Sequence, residues 1–74
     1  MWVAGMTMTP QRRTALARMS DGEWRLGADI TEHGNVLAYL ERMGYIRRAS
    51  SGFAGLYDDW TITPDGLAAL EATE

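Results

Sequence analysis

His33 is the single histidine of a 74-residue chain without cysteine, and it follows Asp29 and Glu32 closely. On a helical turn, positions i, i+3 and i+4 share a face, so Asp29, Glu32 and His33 outline a small oxygen–nitrogen metal triad. The plainer reading is a solvated polar turn, and it is preferred here: no metal and no cofactor are expected. No glycine-rich phosphate loop follows a strand, and no nucleophile has a base beside it. The chain therefore reads as a non-enzyme.

A second constellation has different chemistry. Asn35, Ala38, Tyr39 and Arg42 fall at helical spacing. An amide and a guanidinium on one helix face can read base edges, Asn35 against adenine and Arg42 against guanine or a phosphate, while the Ala38 methyl meets a thymine methyl. Arg47, Arg48, Ser50 and Ser51 follow, with cations and hydroxyls suited to phosphate oxygens. Each has a structural alternative. Asn35 is a good helix N-cap, Arg42 can simply solvate an outward face, and Arg47 and Arg48 can pair across strands with Asp58 and Asp59.

Composition bounds these choices. A chain of 74 residues forms one small domain with a thin core, and the absence of cysteine removes disulfide support. Apolar residues at 46% and charged residues at 23% suit a folded globular chain. No apolar run reaches the ~18 residues of a membrane span, and Met1–Gly5 lacks the basic start of a secretory signal. A cytoplasmic protein with no membrane partner is expected. Met6 and Met8 are alternative starts, which makes residues 1–8 a flexible tail ahead of a single domain over 9–74. The net charge of −3 runs against a nucleic-acid partner, which favours a basic footprint. Its distribution is uneven: Arg12, Arg13 and Arg18 stand together without an acid, whereas acids dominate from Ser20 to Gly44.

The elements that must position these groups are marked by caps and breakers. Thr9-Pro10 opens a first helix running to about Met19, with Leu16 and Met19 inward. Ser20-Asp21-Gly22 breaks it, Glu23–Leu26 is extended with Trp24 as its buried member, and Gly27–Glu32 forms a stubby second helix. Asn35 caps a third helix to about Met43, whose apolar stripe is Val36, Leu37, Leu40 and Met43. Gly44 ends it, Tyr45–Arg48 is extended, and residues 50–55 form a loop. On the return strand Trp60 and Ile62 face one way, and Tyr57, Asp59 and Thr61 the other. Thr63-Pro64 then caps a last helix anchored by Leu67 and Leu70. Leu16, Trp24, Leu37, Leu40, Ile46, Trp60, Ile62, Leu67 and Leu70 are expected to form one core.

That order of elements is a small α+β winged helix-turn-helix, a three-helix core plus a two- or three-stranded β-wing and a C-terminal helix. Two segments carry a more specific resemblance. Leu40-Glu41-Arg42-Met43-Gly44-Tyr45-Ile46-Arg47-Arg48 is similar to the end of the recognition helix and the first wing strand of MarR-like and PadR-like transcriptional regulators. Ile62-Thr63-Pro64-Asp65-Gly66-Leu67-Ala68-Ala69-Leu70 resembles their second wing strand and following helix. The resemblance spans residues 9–72, departs in a compressed Leu26–Gly44 region, and lacks the long dimerisation helices of those families. It implies a small regulator reading double-stranded DNA with helix 35–43 and the wing, through Asn35, Ala38, Tyr39, Arg42, Arg47, Arg48, Ser50 and Ser51. The alternative is a protein–protein interaction module on the same fold, a subunit of an assembly or a small inhibitor of a host protein, engaging through Tyr39, Phe53 and Tyr57.

Overall fold

Thr9 and Pro10 set the first boundary. The Thr9 hydroxyl accepts the Arg12 amide at 3.3 Å, proline occupies the first helical turn, and helix α1 runs Pro10–Arg18. The computed structural model describes residues 8–49 and 55–72. Within them α1 leads to strand β1 (Arg25–Leu26), which passes directly into the one-turn helix α2 (Gly27–Ile30). Helix α3 (Gly34–Arg42), strand β2 (Ile46–Arg48), a short 3₁₀ turn at Gly55–Tyr57, strand β3 (Asp59–Ile62) and helix α4 (Pro64–Ala72) complete the order. The result is an α+β fold with four helices and one three-stranded antiparallel sheet among the described residues.

Gly44 closes α3 by adopting φ +79°, the left-handed conformation that an L side chain disfavours. Tyr45 N–H then donates to the Leu40 carbonyl at 3.0 Å, and Gly44 N–H to that of Glu41 at 2.9 Å, so the last carbonyls of the helix are satisfied. The chain is thereby turned straight into β2.

The sheet order is β1-β3-β2, with Arg25 opposite Trp60, Leu26 opposite Asp59, Ile46 opposite Ile62, Arg47 opposite Thr61 and Arg48 opposite Trp60. Because side chains alternate along a strand, Trp60, Ile62 and Ile46 point inward, and Arg25 and Arg48 flank Trp60 on that same side. The core joins this face to Ala15, Leu16, Met19, Ile30, Val36, Leu37, Leu40 and Leu70, and Met8, Tyr39, Tyr45 and Leu56 pack against it.

Several expectations are corrected here. Trp24 is 46% exposed: with Arg25 in register with Trp60, alternation sends position 24 to the outer face of the sheet. Leu67 is exposed because α4 buries Gly66, Ala69 and Leu70 instead. A Cβ at Gly66 would lie 2.1 Å from the Tyr45 carbonyl oxygen, so α4 is rotated to press its glycine, not its leucine, onto the chain below. Met43 lies beyond the last helical residue and is exposed. Asn35 is not the cap of α3, since the helix begins at Gly34 with His33 as N-cap and no capping side chain. Arg47 and Arg48 do not face Asp58 and Asp59, because the register places Thr61 and Trp60 opposite them. Tyr57 belongs to the 3₁₀ turn and not to the return strand, and Thr61 is buried although it lies on the outer face. The Thr61 hydroxyl donates toward the carbonyls of Gly22 (3.0 Å) and Glu23 (3.3 Å), tying the α1–β1 turn over the sheet.

Candidate nucleic-acid interface

The outward face of α3 is built by subtraction. Val36, Leu37 and Leu40 are drawn into the core, so at 100° per residue Asn35, Ala38 and Arg42 are left pointing away, and all three are exposed. They span about 10 Å along the axis, on the order of three base-pair steps. Among the described residues, neither Asn35 nor Arg42 makes a side-chain hydrogen bond or ion pair. The capping alternative therefore does not hold Asn35, while the exposure of Arg42 agrees equally with its alternative of solvating an outward face.

Tyr39 sits on the flank of that face, half-buried against the core. The Arg12 guanidinium carbon lies 3.5 Å from its ring centroid, over the face of the ring. This contact joins α1 to α3 across 27 residues of sequence, which is why no local pattern revealed it.

The two arginines of β2 are used differently from one another. Arg48 donates from Nε to Glu41 Oε2 at 3.1 Å and lies 6.0 Å from the Trp60 ring, so it is turned back toward α3. The same pair cancels the one acidic charge on the flank of α3. Arg47 is exposed on the outer sheet face, its guanidinium 5.2 Å from the ring of Trp24. Ser50 and Ser51 lie outside the described residues, as does Phe53. Tyr57 is 81% exposed beside the start of β3.

On the other side, an open hollow of about 300 Å³ separates α1 from the α2–α3 turn, with Thr14, Arg18, Thr31 and His33 among its walls. Arg18 is committed there, donating to the Ile30 carbonyl at 2.9 Å, and the Thr31 hydroxyl accepts the His33 amide at 3.2 Å. Asp29, Glu32 and His33 are exposed, and no described group of three or more acidic or histidine side chains converges on a metal position. Asp21 makes a local pair, its carboxylate accepting the Glu23 amide at 3.0 Å and meeting Arg25 at 2.5 Å. The Glu23 amide, more than Arg25, holds the Asp21 carboxyl below the usual carboxylate range. No described helix is long and apolar enough to cross a membrane.

Comparison of the chain with protein-family models, curated proteins and solved structures returns no match.

Proposed function

We propose that this domain is a small winged helix-turn-helix that binds double-stranded DNA, with α3 in the major groove and the β2–β3 hairpin as its wing, acting as a transcriptional regulator. The order α1-β1-α2-α3-β2-β3 and the sheet order β1-β3-β2 support the fold reading. The observation that carries the function is the outward face of α3, where Asn35, Ala38 and Arg42 are exposed and uncommitted to other described residues. Its donors suit base edges, with Asn35 directed to adenine and Arg42 to guanine or a neighbouring phosphate. Arg47, exposed on the sheet, supplies a backbone contact from the wing, and Arg48 supplies one only when it leaves Glu41. Catalysis has no part in this reading.

The test is a mobility shift on random duplex DNA at low and high salt with the parent protein and the Asn35→Ala/Arg42→Ala double variant. Parent binding should weaken steeply with salt, and the double variant should lose affinity while melting like the parent. A folded double variant that binds as tightly as the parent removes the groove assignment.

The protein-partner reading draws on one specific observation, the 81% exposure of Tyr57. A large aromatic left in solvent suits a docking anchor. Under that reading Tyr57→Ala abolishes capture of the partner and Arg42→Ala does not.

A further inference from the structure

Arg18 and Glu32 line the same hollow, the first from α1 and the second from the turn between α2 and α3. Among the described residues no ion pair joins them, and the Glu32 carboxylate has no other partner. Arg18 commits one donor: its Nη1 donates to the Ile30 carbonyl at 2.9 Å, which pins the guanidinium to the wall. A guanidinium carries five N–H groups, so donors remain for a second acceptor. Opposite charges thus border one space without meeting.

Helix geometry supplies the rest of the lining. Gln11, Thr14 and Arg18 stand at i, i+3 and i+7, one stripe of α1 beside the buried Ala15 and Leu16. An amide and a hydroxyl are thereby brought into line with the guanidinium, and His33 adds an imidazole from the turn. Gln11, Thr14 and His33 are exposed, and their side chains are bonded to no other described residue. The volume, about 300 Å³, matches the lower end of ordinary small-ligand pockets.

Charge decides which molecule suits this space. A simple anion, a duplex phosphate included, gains Arg18 and is repelled by Glu32. A metal or organic cation gains Glu32 and is repelled by Arg18. A zwitterion satisfies both, its carboxylate accepting from Arg18 and its ammonium donating to Glu32. We infer that the hollow between α1 and the α2–α3 turn binds a small zwitterion of the free amino-acid class. This site is separate from the outward face of α3 and does not rest on the duplex reading. Its walls are open to water, so a Kd on the order of 1 mM is expected.

The experiment is an NMR titration of the full chain with glycine, L-leucine, N-acetyl-L-leucine, L-leucinamide and acetate. Glycine and L-leucine should give saturable shifts at the amides of Thr14, Arg18, Thr31 and His33. N-acetyl-L-leucine lacks the ammonium and L-leucinamide the carboxylate, so each should bind about tenfold more weakly or worse. Glu32→Gln, a change at an exposed side chain without a partner, should weaken L-leucine and narrow its advantage over N-acetyl-L-leucine. Arg18→Gln should narrow the advantage over L-leucinamide; should that variant fail to fold by circular dichroism, the L-leucinamide titration of the parent tests the same contact from the ligand side. Equal affinity for L-leucine and either derivative, or acetate bound as tightly as glycine, overturns the zwitterion assignment. Absence of saturable shifts with both glycine and L-leucine overturns the site.

Discussion

Arg48 and Glu41 form an ion pair between β2 and α3, with Nε 3.1 Å from Oε2 and side chains 31% and 39% exposed. At that exposure the pair contributes at most about 1 kcal/mol, because water and salt screen it. Its larger effect is on which charges α3 presents. Glu41→Gln should therefore lower stability by no more than about 1 kcal/mol in a thermal melt. Under the duplex reading it should tighten binding and steepen the salt slope by about one unit, since Arg48 becomes available to phosphate. Weaker duplex binding by a folded Glu41→Gln protein would argue that the pair positions β2 against α3.

Gly66 gives the sharpest stability prediction. Adding a Cβ there places it 2.1 Å from the Tyr45 carbonyl oxygen and 2.7 Å from Ile62 Cγ1, so backbone must move. Glycine to alanine inside a helix ordinarily gains about 0.5–1 kcal/mol, but here overpacking should turn the sign and cost about 1–3 kcal/mol. Gly34→Ala, whose Cβ meets nothing within 4 Å at the start of α3, is the matched control and should be neutral or slightly stabilising in urea unfolding.

The two described tryptophans should respond oppositely. Trp60 is 1% exposed and sits between Arg25 and Arg48 in the sheet, so Trp60→Ala should cost about 3–5 kcal/mol and threatens the fold of so small a domain. Trp24→Ala removes a half-exposed ring and should shift the melting temperature little. A cooperative Trp60→Ala melt near the parent temperature would contradict the core described above.

The Thr63 hydroxyl donates to the Gly44 carbonyl at 2.6 Å and accepts the Gly66 amide at 3.1 Å. Thr63→Val keeps the shape and deletes both bonds, so a loss of about 1–2 kcal/mol is expected from chemical denaturation. Thr63→Ser should retain most of it.

Asp21 predicts a pH response. The Glu23 amide and then Arg25 stabilise its ionised form, so its folded-state pKa lies below the unfolded value. Its contribution is therefore present above the ordinary carboxylate pKa and is lost as pH falls through the lower folded value. An NMR titration should find the Asp21 carboxyl titrating below a model aspartate, and Glu23→Pro, which removes the amide, should raise it.

Much of this architecture was legible because local chemistry dictates it. Thr9-Pro10, Gly44 and Thr63-Pro64 announced element ends, and Val36, Leu37 and Leu40 announced the buried face of α3. What escaped depends on register and rotation. Trp24 looked like core by size, but pairing of Arg25 with Trp60 fixes its side of the sheet. Leu67 looked like an anchor, but the glycine contact at Tyr45 sets the turn of α4. Asn35 has cap chemistry, yet α3 starts one residue earlier. Arg12 over Tyr39 is a long-range contact between two helices, and neither residue advertises the other. The exposed set Asn35, Ala38 and Arg42 followed from the stripe opposite it; the β2–β3 pairing did not, because strand register was unknown.

Both borders of the sheet are very short: β1 offers two residues before the chain turns into α2, and β2 offers three, two of them arginines. An edge strand is a template on which another chain can add, and its danger grows with length and apolar content. Here the longest strand is interior and the outer ones present little backbone, with guanidinium groups beside it. A crowded population of these domains therefore has few places to begin stacking strand on strand, which suits a chain whose thin core must open more often than that of a larger protein.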